Sequence, residues 1–182
     1  TIKKEDMKLG YRSSIFNHGE DAGRYLIISM TIHLSHDTLT PPFYTSLQNY
    51  VEEHQITDFS PKSIREMVTE IRWSKLPKPE EMASSGSFFK NVYLDDAEAD
   101  RLRGMNVPVW EGNKVPSGWL IDHAGLKGMV FHGMRVSEKA ALILINESAQ
   151  SYAHLKQARE EIVSIIEKKY GLTLQQEPVE LE

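Results

Sequence analysis

Gly86-Ser-Phe-Phe-Lys-Asn-Val-Tyr93 is the stretch on which the reading of the fold turns. Its aromatic and β-branched residues predict a β-strand, and period-two alternation places Ser87, Phe89 and Asn91 on one face and Phe88 and Lys90 on the other. The leading glycine lets backbone or ligand approach closely beside a hydroxyl, an amine and an amide. As a bare pattern, the same residues also describe an edge strand with a solvated serine and lysine.

Working back from this strand, Leu76-Pro-Lys-Pro79 predicts an extended linker and a domain boundary, because proline disfavours helical geometry in the residue before it. A helix is expected to start at Ser60-Pro61, with Ser as cap and Pro in the first turn, and to bury Ile64, Met67, Val68 and Ile71. Thr40 to Pro42 introduces a shorter helix over 43–54 with Tyr44, Leu47, Tyr50 and Val51 on one face. The run Tyr25-Leu-Ile-Ile-Ser-Met-Thr-Ile-His-Leu34 reads as a buried strand.

Toward the C-terminus, residues 95–104 predict an acidic-started helix, and Pro116 to Ala124 a second that Gly125 terminates. Ala141-Leu-Ile-Leu-Ile145 is a continuous apolar strand. A long helix over 149–170 presents Tyr152, Leu155, Ala158, Ile162 and Ile165 and stops at Gly171. Helices and short strands mix without a βαβ rhythm, so the expected fold class is α+β, a mainly antiparallel sheet with packed helices.

The 182 residues are enough for a large core, and 40% hydrophobic and 26% charged residues describe a globular protein. A net charge of −5 without a Lys/Arg run argues against a nucleic-acid surface. No apolar stretch approaches the ~20 residues that span a bilayer, and TIKKEDMKLG is no signal peptide, so the expected location is cytoplasmic, without a membrane partner. The chain has no cysteine, which excludes disulfides and thiolate chemistry. His33 and His36 lack a second cluster at ligand spacing, and no metal is expected. A start at Thr1 rather than Met reads as a fragment. Oligomeric state is not legible.

Six blocks in order resemble the reductase family known as MurB: Gly10-Tyr-Arg-Ser-Ser-Ile-Phe16, Lys75-Leu-Pro-Lys-Pro79, Gly86-Ser-Phe-Phe-Lys-Asn91, Gly118-Trp-Leu-Ile-Asp122 with Leu126-Lys-Gly128, Ala141-Leu-Ile-Leu-Ile-Asn146, and Glu177. The resemblance runs from about residue 8 to residue 180. It implies that residues 1–75 end an FAD-binding domain, that 76–170 form the substrate-binding domain, and that 171–182 are a return segment carrying a catalytic glutamate. Most of the FAD would be held by an N-terminal half that this sequence lacks. Nothing here matches GxGxxG or GxxxxGK[ST].

The implied reaction is reduction of FAD by NADPH, then hydride transfer to the β-carbon of the enolpyruvyl ether of UDP-N-acetylglucosamine. Charge then collects at the α-carbon and its carboxylate, which calls for a proton donor and a polarising group. Ser87 matches the family's proton-donating serine and Glu177 its glutamate, with Glu180 as rival because Gln175-Gln-Glu-Pro178 departs from the commoner Glu-Pro-Glu. Lys75 and Asn91 match substrate-binding positions, and Tyr11 matches a tyrosine that closes over the uridine diphosphate.

Each has a plainer reading: a strand serine, a surface glutamate, a lysine at a helix end, a turn asparagine and an anchoring tyrosine. Trp119 and Asp122 are expected to be structural. Three further departures are Ala83-Ser-Ser-Gly-Ser87 for Gly-Asn-Ala-Gly-Ser, Val92 for the usual proline, and His123 where relatives often carry glutamine. They leave open a non-catalytic UDP-sugar-binding or protein-interaction module of the same fold, or a purely structural domain.

Overall fold

The computed structural model describes residues 1–78 and 80–180. Pro79 of the expected linker and the last two residues of the expected return segment lie outside them. Backbone contacts divide the chain into Thr1–Thr38 and Leu39–Glu182.

In the first unit a 3-10 turn, Lys4–Met7, leads to a tight bridge between Gly10 and Ser13. The run 25–34, expected as a buried strand, joins no ladder here and lies exposed, with Leu26 at 86% and Ile28 at 87%. Its β-branched composition suits a strand, but a strand needs a neighbouring edge, and the described residues offer it none.

The second unit opens with two helices. α1, Thr45–Glu53, buries Leu47 and Val51, and α2, Pro61–Lys75, packs Met67 into the same small cluster with Phe43, Phe59 and Ile64 around it. α2 starts where local chemistry dictates: the Ser60 hydroxyl accepts from the Ser63 amide at 3.3 Å and Pro61 takes the first turn. It ends at Leu76, which is extended ahead of Pro77.

The larger core is built on six short strands: β1 Ala83–Ser87, β2 Val92–Tyr93, β3 Lys114–Val115, β4 Val130–Phe131, β5 Met134–Val136 and β6 Ile143–Asn146. Their order is β1-β6-β5-β4 in one sheet and β2-β3 in a second, with antiparallel pairing throughout. The α+β expectation is met. Three helices cover the sheets: α3 Asp96–Gly104, capped by Asp95, whose Oδ1 accepts from the Glu98 amide at 2.8 Å; α4 Ser117–His123; and α5 Tyr152–Tyr170.

α5 buries Ala158, Ile162, Ile166 and Tyr170, a stripe at steps of four. Leu155 and Ile165 of the expected stripe pack, partly buried, against the same core, Tyr152 is exposed, and Tyr170 at the far end faces Trp119 of α4, ring centroids 6.3 Å apart. Gly171, at φ 71, ends the helix with its amide on the Glu167 carbonyl, in the left-handed geometry that glycine adopts without strain. Trp119 stacks on His123 at 3.7 Å, and Asp122 accepts from Lys127, the structural parts expected of that block.

Candidate functional site

The strand expected over 86–93 is displaced and broken, and the break shapes the site. β1 starts earlier, and its register with β6 runs Ser84 to Ile145 and then Ser87 to Ile143. Ser85 and Gly86 therefore oppose Leu144 alone, a β-bulge, with Gly86 at φ 75. A bulge bends the strand and re-aims the residues beyond it. Ser87 emerges exposed, whereas Phe88 and Phe89 are both buried, at 3% and 1%. The expected alternation is lost because Phe88 and Phe89 leave the ladder: the Phe88 amide donates to the Leu142 carbonyl at 2.7 Å and Phe89 forms a separate bridge.

That bridge joins Phe89 to Gln176, with Lys90 N–H on the Gln175 carbonyl and Glu177 N–H on the Phe88 carbonyl, each at 2.8 Å. The C-terminal segment thus lies antiparallel to residues 88–90. Glu177, half-buried, is fixed by its backbone across from the residue next to Ser87.

Asn91 has a structural task. Its Oδ1 accepts from the Ser117 amide at 3.2 Å, and the fully buried Ser117 hydroxyl donates to the Lys90 carbonyl at 2.6 Å. α4 needs this help because Pro116 before it supplies no capping side chain. The Asn91 amide nitrogen makes no hydrogen bond among the described residues.

Lys75 closes α2, donates to the Ser46 hydroxyl at 3.3 Å, and lines a cavity of about 710 Å³ with Lys78, Arg135, Lys139 and Asn146. Ser87, Asn91 and Glu177 are not in that lining. β1 connects the two places. Ala83 pairs with Asn146 at the cavity and Ser87 stands at the strand's other end, roughly 13 Å away at about 3.3 Å per residue. Tyr11 belongs to the first unit, where it is half-exposed with the Arg12 guanidinium 5.4 Å from its ring centroid.

Glu180, the rival to Glu177, is otherwise engaged. Its carboxylate accepts from Arg159 of α5, from Gln176 Nε2 at 2.8 Å and from the Tyr152 hydroxyl. Those bonds, Tyr152's foremost, hold it below the usual carboxylate range, and the bond to Glu180 in turn raises the Tyr152 phenol against the opposing pull of Arg159. Burial alone would lower the Arg159 guanidinium, but its bonds to Glu180 and Tyr152 outweigh that and raise it.

A depressed carboxylate stabilises the fold above its unfolded value and stops doing so as pH falls through the folded one. Protection of the Gln176 and Glu177 amides against exchange, taken relative to the intrinsic rate, is therefore expected to fall as pH drops through and below the usual carboxylate range. Glu180→Gln should remove that step; a step that survives the substitution would assign it to another group.

Arg159, Gln176 and Ser117 were not singled out by sequence. A signal existed only for Arg159, a charged residue between Ala158 and Ile162 on the buried stripe of α5, with a side chain only 20% exposed. Among the described residues no three His, Asp or Glu side chains gather as a metal site, and no helix is long and apolar enough to cross a membrane.

Comparison with known proteins gives a consistent picture. The family described as UDP-N-acetylenolpyruvoylglucosamine reductase, C-terminal domain, matches residues 78–181. The chain is similar to proteins named UDP-N-acetylenolpyruvoylglucosamine reductase from several bacteria. That of Chromobacterium violaceum is 30% identical over 185 residues, covering 98% of this chain and 54% of the relative. That of Aliivibrio fischeri is 31% identical over 182 residues, with 97% and 51% covered. That of Pseudomonas aeruginosa is 30% identical over 181 residues, with 96% and 53% covered. The chain spans about half the length of the curated relatives it matches.

Proposed function

Since the chain belongs to the UDP-N-acetylenolpyruvoylglucosamine reductase family by its match over residues 78–181, we propose that it is the substrate-binding portion of a cytoplasmic reductase that makes UDP-N-acetylmuramate for peptidoglycan precursors. In this reading residues 1–75 complete a flavin-binding domain, 76–170 bind the substrate, and 171–182 return the catalytic glutamate. The observation that carries it is the 2.8 Å bond from the Glu177 amide to the Phe88 carbonyl, which sets a carboxylate-bearing residue from the end of the chain beside the exposed Ser87.

No loop of this chain has the glycine pattern that cradles a dinucleotide's phosphates, so FAD would be held mainly elsewhere in the polypeptide. What these residues fit is the flavin's substrate side. Reduced FAD, when bound, supplies the hydride that adds to the β-carbon of the enolpyruvyl ether, NADPH being its source.

The Ser87 hydroxyl then gives its proton to the α-carbon. An alcohol is a weak acid, so the rate must come from positioning, and the bulge at Ser85 and Gly86, which bends the strand just before Ser87, supports that reading. Glu177 shares the charge that gathers at the substrate carboxylate with a cation from the other half. Lys75 meets the diphosphate as a point charge, Asn91 offers its amide hydrogens, and Tyr11 closes over the nucleotide. The length of β1 between Lys75's cavity and Ser87 suits an elongated nucleotide sugar, phosphates at one end and reacting ether at the other.

Calorimetric titration with UDP-N-acetylglucosamine enolpyruvate tests this. Lys75→Ala is expected to weaken binding by about 10- to 100-fold, the worth of one charge-assisted bond. Ser87→Ala should alter it by less than about threefold, since its contribution belongs to the transition state. Equal affinity for wild type and Lys75→Ala in the full-length protein would reject the placement of the diphosphate.

A further inference from the structure

Glu177 lies in a turn in which Gln176 comes directly before it. Proline fixes φ near about −65° and narrows the unfolded ensemble, whereas glutamine does neither. Gln176 is restrained through its side chain instead. Its Oε1 accepts from Arg159 Nη1, and its Nε2 donates to the Pro178 carbonyl at 3.0 Å and to Glu180 at 2.8 Å. Arg159 also pairs with Glu180, which the Tyr152 hydroxyl bonds in turn. Two residues of α5 thus grip both ends of the five-residue turn 176–180, with Glu177 inside it.

We propose that Arg159 and Gln176 are positioning residues for Glu177: their bonds hold the turn that presents Glu177 beside Ser87, the part a proline at 176 would otherwise play. The proposal rests on the reading of Glu177 as the polarising carboxylate. The backbone makes the two solutions interchangeable. Ladder bonds leave from Lys90 N–H and Glu177 N–H, so the Gln176 amide stands outside the ladder and a proline there breaks none of them. Arg159 and Glu180 lie 21 positions apart and on different elements, so the contact is tertiary and not a helix-surface pair.

The test uses the flavin-loaded, full-length enzyme. Arg159→Met is expected to lower kcat for flavin reoxidation by the enolpyruvyl sugar by about 10- to 100-fold, the effect of displacing a polarising group by about an ångström. KM should move by less than about threefold, because the lost contact acts in the transition state. Reduction by NADPH should be unchanged, and the Glu177 amide should exchange faster.

Adding Gln176→Pro to Arg159→Met should restore kcat to within about threefold and slow the exchange again, since proline restrains the turn by itself. A merely stabilising clamp would lower stability without this rescue. Should Arg159→Met not fold, Gln176→Ala removes the grip at the Glu177 end of the turn while leaving Arg159 paired with Glu180, and changes in the same direction are expected. Glu177→Gln separates the two layers of argument. If Glu177→Gln keeps full activity, the role of Glu177 and this proposal fall together. If Glu177→Gln is inactive but Arg159→Met keeps its rate, or Gln176→Pro does not rescue it, the positioning role is wrong and the reading of Glu177 stands.

Discussion

Ser87→Ala in the full-length flavoprotein is expected to slow reoxidation of the reduced flavin by the enolpyruvyl sugar by about 10²- to 10⁴-fold, the usual worth of a positioned proton donor. NADPH should still bleach the flavin at its normal rate, because Ser87 has no part in that half of the reaction. The split comes from position. The hydroxyl stands at the exposed end of β1, beyond a bulge that opposes two residues to Leu144, and alanine there removes a proton without disturbing a packed side chain. Stopped-flow spectra of the two half-reactions decide it. Equal slowing of both would point to a folding defect, and no slowing of the second would remove Ser87 from the chemistry.

Phe89→Ala is expected to destabilise the second unit by about 3–5 kcal/mol, the range for emptying a buried aromatic site. The ring is 1% exposed, stands edge-on to Phe88 at 5.1 Å, and belongs to the large core with Leu120 and Ile162. The damage would reach the site, because Phe89 sits between the two hydrogen bonds that hold Glu177's segment in place. Phe89→Leu, which keeps most of the volume, should cost less than about 1.5 kcal/mol. Urea unfolding of both variants measures the difference, and a cost under about 1 kcal/mol for Phe89→Ala would mean that the core closes over the gap.

Much of this fold is legible in the chain because its signals are local. Ser60-Pro61, Asp95 and Gly171 each act on amides or carbonyls within a turn of themselves, and each sits where a helix begins or ends. The candidate site came from resemblance alone: the blocks around Ser87 and Glu177 resemble a family, and the backbone pairing of 88–90 with 175–177 is what the fold adds.

Other features escaped because they depend on partners distant in sequence. Nothing in Phe88-Phe89 says that both rings are buried, since that depends on a bulge whose register only β6 defines. That Asn91 also caps Ser117 is not visible in its own neighbourhood, because Ser117 lies 26 residues away. Arg159 stands out only as a charge beside the buried stripe of α5, and its partners Gln176 and Glu180 come from the returning chain.

The sequence by itself determined the helix limits, the α+β class and the family, because capping, periodicity and motif are properties of neighbouring residues. Only the tertiary structure decided that the Glu177 backbone pairs with Phe88 while Glu180 is bound to α5, and that the apolar run 25–34 lies exposed. A hydrogen bond or a buried face is shared between two segments, and its outcome is written in neither one alone.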